Sequence, residues 1–288
     1  MSHIIVCCAQ KGGCAKTVTV HNLSAALSRM GKRVLAVDFD SQASLTACFG
    51  LSGRDITINI AHLMECEAED MELPPGSEYI HHCAGNDLIP SGSKLSAVSE
   101  MMHQEIGSEQ FLLNILAPIR DDYDYILIDT GPKLDNLSIN ALVAADHVVI
   151  PVNPQYLSTT GLQALLKTCS KIRRRFNPSL GIAGILLTMC ERRTNLCKVI
   201  SQQIREEYQA AVPVFTASIP MTVKVGEAVY YSRSVLEYAP QSSAAVAYEQ
   251  AAKELDKRLN QQPVPVYSRT SGHNRPCIMT FQPRKEAL

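Results

Sequence analysis

The chain alternates short, continuous apolar runs with longer stretches in which apolar residues return every three or four positions. Ile4, Ile5 and Val6 are consecutive and β-branched, and similar runs recur at Val34–Phe39, Tyr125–Ile128, His147–Val152 and Gly181–Met189. Runs of this kind suit strands buried on both faces of a parallel sheet. The segment after Thr17, the stretch from about Thr160 to Phe176 and the stretch from Ser242 to Asn260 have helical spacing; in the last, Tyr248, Ala252, Leu255 and Leu259 fall on one face. The order predicts an α/β fold, a mainly parallel twisted sheet with helices on both faces.

Two regions stay outside this rhythm. Residues 50 to 110 hold short apolar patches, an acidic stretch from Glu65 to Glu72 that reads as a solvated face, and a Pro74-Pro75-Gly76 turn. Leu88-Ile89-Pro90-Ser91 is followed by a helical pattern from Lys94 and adds little chemistry. Beyond Gln261 the composition shifts to Pro, Ser, Arg and Gly, with Arg269, Arg275, Arg284 and Lys285 against Glu286. The expectation is one domain over 1–260 and a disordered basic tail over 261–288, too proline-interrupted for an amphipathic membrane helix.

Candidate chemistry collects where strands end. Ile4–Thr17 reads IIVCCAQKGGCAKT, a strand that breaks into a glycine-containing basic loop before a helix. Such a loop converges backbone N–H groups on phosphate oxygens; Gly12 and Gly13 suit the tight backbone, Lys16 supplies charge, and the Thr17 hydroxyl suits Mg²⁺. The usual G-x-x-x-x-G-K-[ST] pattern is broken at Ala15. The second strand ends in Asp38 and Asp40, and the run from Tyr123 ends in Asp129, a Walker B arrangement in which a carboxylate holds Mg²⁺. A structural reading of Asp40 is an N-cap for a helix near Leu45.

Composition narrows the class. The 288 residues are 46% hydrophobic and 19% charged, enough apolar material for a sizeable core, and the net charge of −1 confines any DNA contact to a local patch. The end of the 160–176 helix (Lys167, Lys171, Arg173, Arg174, Arg175) is one such patch, although cations at a helix C-terminus are favoured by the dipole anyway. With no membrane-length apolar run and no signal-peptide pattern, a cytoplasmic location is expected. The ten cysteines lack metal-ligand or disulfide spacing and read as small core residues. Cys14, among loop amides and lysines, is open to two readings: a thiol of lowered pKa, or a small residue tolerated there.

Lys11-Gly12-Gly13-Cys14-Ala15-Lys16-Thr17 resembles the deviant Walker A box, KGGxxKT, of the ParA/MinD group of P-loop ATPases, and the resemblance extends over roughly residues 3 to 260. Asp38-Phe39-Asp40-Ser41-Gln42 resembles the family's DxD-P-Q switch, Asp129-Thr130-Gly131-Pro132 its D-x-x-P, Glu191–Leu196 its S-R-T-N-L turn, and Ile219–Ala228 its IPRNVRLSEA segment. The departures are Ala15, Val18 in place of a second hydroxyl, Ser41 in place of a proline, Met221 in place of an arginine, and Lys224.

The resemblance implies ATP and Mg²⁺ as cofactors. Lys11 would reach the phosphates of a partner subunit, Lys16 the β and γ phosphates of its own nucleotide, and Asp40 would position or deprotonate the attacking water. The loop from Lys11 to Val18, through Gly12, Gly13, Cys14, Ala15, Lys16 and Thr17, would cradle the nucleotide, with Pro220 and Met221 at the adenine; Thr17, Asp40 and Asp129 would attend the metal. It further implies a homodimer on ATP binding, nonspecific DNA as ligand, a ParB-like centromere-binding partner, a nucleoid-associated cytoplasmic location and a slow, partner-stimulated ATPase in plasmid, chromosome or mobile-element partition. Three alternatives remain: a MinD-like switch on a protein scaffold or membrane; a nucleotide binder with little hydrolysis; and a redox protein like nitrogenase iron protein, against which no cysteine stands between Asp129 and Cys169.

Overall fold

The structure, a computed structural model, describes residues 2–261 except 54–55, 84, 103–104, 156–157 and 192, and gives only the backbone for 158–160 and 261. Eight strands form one sheet: β1 (His3–Cys7), β2 (Val34–Phe39), β3 (His81–Cys83), β4 (Asn86–Ile89), β5 (Tyr125–Thr130), β6 (His147–Val152), β7 (Gly181–Cys190) and β8 (Val214–Pro220). Their order is β3-β4-β2-β5-β1-β6-β7-β8. Each neighbouring pair is parallel except β3 with β4, an antiparallel edge within the region whose pattern was uninformative.

Helices α1 (Lys16–Arg29), α2 (Ser44–Cys48), α3 (Ile60–Ala68), α4 (Gly76–Tyr79), α5 (Leu95–Met101), α6 (Phe111–Leu116), α7 (Asn136–Ala144), α8 (Ser158–Arg175), α9 (Asn195–Tyr208), α10 (Val223–Tyr230), α11 (Val235–Tyr238) and α12 (Ser243–Gln261) cover both faces. The alternation of strand side chains divides the core in two. Ile4, Val6, Leu35, Val37, Ile126 and Ile128 pack against α3 and α5 through α9, whereas Ile5, Cys7, Val34, Ala36 and Leu127 pack against α1, α2 and α10 through α12. That two-sided burial is why the strands read as continuous apolar runs. The boundaries expected from the sequence shift by a residue or two: β7 extends to Cys190, α8 starts at Ser158, and α12 runs Ser243–Gln261. Of the tail expected over 261–288, Gln261 belongs to the last turn of α12, and 262–288 lie outside the described residues.

An irregularity lies near the amino ends of β7 and β8. Between β7 and β8 the register shifts, and Gly184 adopts φ +153, where an added Cβ would stand 2.5 Å from Arg258 Nη1. Arg258, from α12, donates to the carbonyls of Ala183 (2.7 Å) and Val214 (2.9 Å) and stacks its guanidinium 4.5 Å from the Phe215 ring centroid. The arginine supplies donors that the shifted ladder lacks.

Candidate nucleotide site

The carboxyl ends of β1, β2 and β5 meet at the centre of the sheet. Cys7, Asp38 and Asp129 are register partners, so their side chains emerge on the same face, the one covered by α1. Between Cys7 and Lys16 the chain forms a loop with Gly12 and Gly13 exposed, Gly13 at φ +71 and Ala15 also left-handed at φ 63, ψ 36. For Ala15 that backbone costs about 1–2 kcal/mol that glycine would not incur.

The loop is held from inside. The Cys14 thiol donates to the Lys11 carbonyl at 3.1 Å, and the Cys14 carbonyl accepts from the Thr188 hydroxyl of β7 at 2.9 Å. Burial pushes the Cys14 thiol pKa up. Of the two readings of Cys14, the structure removes the activated thiol: desolvation outweighs the attraction of Lys16.

Lys16 opens α1 and is 8% exposed; its carbonyl accepts from the Cys7 thiol at 3.7 Å, while its ammonium has no hydrogen bond or ion pair among the described residues. Lys11 lies at the loop's outer side, where among the described residues its ammonium has only a 3.5 Å contact with the Gln155 side-chain oxygen. Thr17 turns inward and donates to Asp129 Oδ2 at 2.6 Å. Val18 packs its side chain against the core under α1, which leaves only its main chain to face a ligand.

Asp129 is fully buried, and its Oδ1 has no hydrogen-bond partner among the described residues. Burial, and then the charge of Asp38, hold its carboxyl well above the usual range. Asp38 is likewise buried and pushed up to about 6, mainly by desolvation, against three hydrogen bonds that favour its ionised form. An orphaned buried carboxylate oxygen, a neighbouring hydroxyl and clustered negative charge fit a hard divalent cation. No group of three His, Cys, Asp or Glu side chains among the described residues encloses a metal alone, so such an ion would need phosphate oxygens and water as well.

Asp40 is half-buried, its Oδ1 accepts from the Gln42 N–H at 3.1 Å, and it faces Gly131. It does not cap α2. That work falls to Asp38, whose Oδ2 accepts from both the N–H and hydroxyl of Thr46 at 2.7 Å. Asp38 was legible as a carboxylate at a strand end but not as the anchor of α2.

Pro220 ends β8 opposite Cys190, and the Met221 N–H donates to the Cys190 carbonyl at 3.1 Å, so β7 joins this turn to the loop through Thr188. Pro220 is buried and Met221 58% exposed. Arg192, in the turn before α9, is outside the described residues. The cations at the end of α8 form no ion pair among the described residues. No helix there is long and apolar enough to cross a membrane.

Comparison with known proteins agrees with this geometry. Residues 2–182 match a family described as an AAA domain. The sporulation initiation inhibitor protein Soj of Bacillus subtilis is 34% identical over 255 residues, 88% of this chain and 98% of that protein. The chromosome-partitioning ATPase Soj of Thermus thermophilus is 35% identical over 253 residues, 88% of this chain and 94% of that one. A cobyrinic acid a,c-diamide synthase from Mycobacterium smegmatis, solved with a bound ATP analog and magnesium, superposes with a TM-score of 0.78 at 28% identity, covering 93% of this chain and 100% of that one. With its deviant phosphate loop at the head of an α/β sheet and these relatives matched over most of their length, the chain belongs to the ParA/MinD family of P-loop ATPases.

Proposed function

We propose that the protein is an ATP-dependent dimerising ATPase of DNA partitioning, which binds nonspecific DNA as the ATP dimer and is released from it by hydrolysis. The observation that carries this reading is the division of labour between two lysines of one loop. Among the described residues, the buried Lys16 ammonium has no ion-pair partner, and Lys11, at the outer side, has only a weak neutral contact. A cation left unsatisfied on the outside is best met by phosphate held in a second copy, so nucleotide binding favours the dimer by that difference.

Within one subunit, the N–H groups of the Gly12–Val18 segment and the Lys16 ammonium would hold the phosphates, with Pro220 and Met221 bordering the base. Thr17, Asp129 and Asp40 would attend magnesium, which supplies charge neutralisation on the phosphates when bound. Asp40 would orient the attacking water and accept its proton. The Cys14–Lys11 and Thr188–Cys14 bonds tie the loop to itself and to β7.

Partner and location follow as proposals: a ParB-like protein that stimulates hydrolysis, and a nucleoid-associated cytoplasmic pool. The α8 cations would add to DNA contact. A second reading, a positioning switch on a protein scaffold, is favoured by the surface around α10, where Met221, Val223, Tyr230 and Tyr231 are exposed in place of a cationic patch.

The test is the solution mass of Asp40→Ala with ATP and Mg²⁺, with ADP, and alone, repeated with nonspecific duplex DNA. Dimer only with ATP, and DNA retention only by that dimer with steep loss on adding salt, is the expected result. A monomer throughout would remove the switch; an ATP dimer that ignores DNA would favour the scaffold.

A further inference from the structure

We infer that Ser91 and Thr46 are positioning residues for hydrolysis: through them the end of β4 holds the turn that carries Asp40. The inference rests on the ATPase reading above and adds Thr46 of α2 and, from the region whose sequence pattern was silent, Ser91.

The hydrogen-bond directions follow from the chemistry of the groups. The Asp40 carbonyl can only accept, so the Ser91 hydroxyl, 2.7 Å away, donates to it. The Ser91 N–H can only donate, and its partner at 2.9 Å is the Thr46 hydroxyl oxygen. Thr46 therefore places its own proton on Asp38 Oδ2 at 2.7 Å. Ser91, Thr46 and Asp38 are each fully buried, so water cannot replace a missing member of the chain.

The Asp40 carbonyl also accepts from the Ala43 N–H at 2.9 Å, closing a turn over residues 40–43, and Gln42 within that turn is the donor to the Asp40 carboxylate. The residue after Asp40 is Ser41, whose φ no ring restrains. Orientation of the Asp40 carboxylate thus depends on a carbonyl pinned from β4.

The anchor is itself immobilised. A Cβ on Gly53 would stand 2.6 Å from the Ser91 carbonyl oxygen, and one on Gly92 would stand 2.9 Å from Asn59 Nδ2, while the Pro90 carbonyl accepts from Ile60 at the start of α3. The close approach on both sides leaves Ser91 one position. A hydroxyl so held transmits the geometry of the sheet and of α3 to the turn at the site.

The experiment compares the unaltered protein with Ser91→Ala, Thr46→Val and Thr46→Ser. It reads single-turnover ATP hydrolysis with Mg²⁺, ATP affinity, and amide hydrogen exchange over residues 42–47 without nucleotide. Losing one such bond should slow hydrolysis about tenfold in Ser91→Ala and Thr46→Val. ATP affinity should stay within about twofold, as expected where only orientation is lost. Exchange over 42–47 should rise in both, and Thr46→Ser, which keeps the hydroxyl, should restore rate and protection.

Folded Ser91→Ala and Thr46→Val that hydrolyse ATP at the parental rate would overturn the proposal, even if they melt earlier, because a merely structural role predicts that result. If the parent itself turns over no ATP, the ATPase reading fails. In that case raised exchange over 42–47 in Ser91→Ala still establishes that the serine holds the turn, and unchanged exchange overturns that as well.

Discussion

The Thr17 hydroxyl donates to one oxygen of Asp129 at 2.6 Å, while the other oxygen of the same carboxylate is buried without a partner among the described residues. The pair joins the first turn of α1 to the end of β5, and it is incomplete: Asp129 keeps a lone oxygen beside the equally buried Asp38. An uncompensated carboxylate in such a place is costly unless a cation or proton joins it.

Asp129→Asn therefore separates folding from ligand binding. Removing the charge should stabilise the nucleotide-free protein by about 1–3 kcal/mol, read as a higher urea midpoint. The same variant should lose the Mg²⁺-dependent part of its ATP affinity, measured by titration with Mg²⁺ and with EDTA. A less stable variant that binds Mg²⁺-ATP unchanged would contradict both halves.

The two lysines should fail differently. Lys16→Ala should abolish ATP binding, because it removes the ammonium buried at the head of α1. Lys11→Ala should keep monomeric ATP binding and lose ATP-dependent dimerisation, since among the described residues its side chain is engaged only by Gln155 at 3.5 Å. Equilibrium binding and light scattering on the same samples distinguish these outcomes; equal ATP affinity in Lys16→Ala and the parent would remove the phosphate-loop assignment.

Ala15→Gly tests the strained loop. Glycine is at ease at φ 63, so the exchange should stabilise the fold by about 0.5–1 kcal/mol, less than the full left-handed cost because glycine also loosens the unfolded chain. Urea unfolding checks it, and a destabilised variant would mean that the alanine methyl contributes packing beyond its strain.

His21, on α1, is packed against Phe49 with Nδ1 buried and unpartnered, and burial lowers its pKa to about 4. A base with a lowered folded pKa binds fewer protons folded than unfolded. Its contribution is present above the unfolded value of 6.5 and is lost as pH falls through that value towards about 4. The loss amounts to about 3 kcal/mol. His21→Leu should flatten the pH dependence of the urea midpoint over that window; an unchanged slope would place the acid sensitivity elsewhere, with His147 the next buried imidazole to examine.

What the sequence disclosed follows the range of its interactions. The apolar runs, the loop from Lys11 to Thr17 and the aspartate after Ile128 are local patterns, and each was legible together with the class of fold. Ser91 to Asp40, Thr188 to Cys14 and Arg258 to Ala183 join residues far apart in the chain, through a hydroxyl or guanidinium that could equally have faced water. Cys14 shows the same limit: beside two lysines it could be read as activated, and only its burial decides the matter.

Arg258 carries a practical consequence for anyone shortening the chain. Its guanidinium completes the backbone bonding of two strands of the sheet, and one of them, β7, also holds Cys14 through Thr188. A truncation that removes residues 262–288 spares this clamp, whereas one cutting a single turn further back deletes the arginine and unlatches the strand beneath the phosphate loop. Affinity tags and fluorescent fusions belong after Gln261, and a deletion mutant that loses nucleotide binding reports on a missing rivet in the sheet before it reports on any function of the tail.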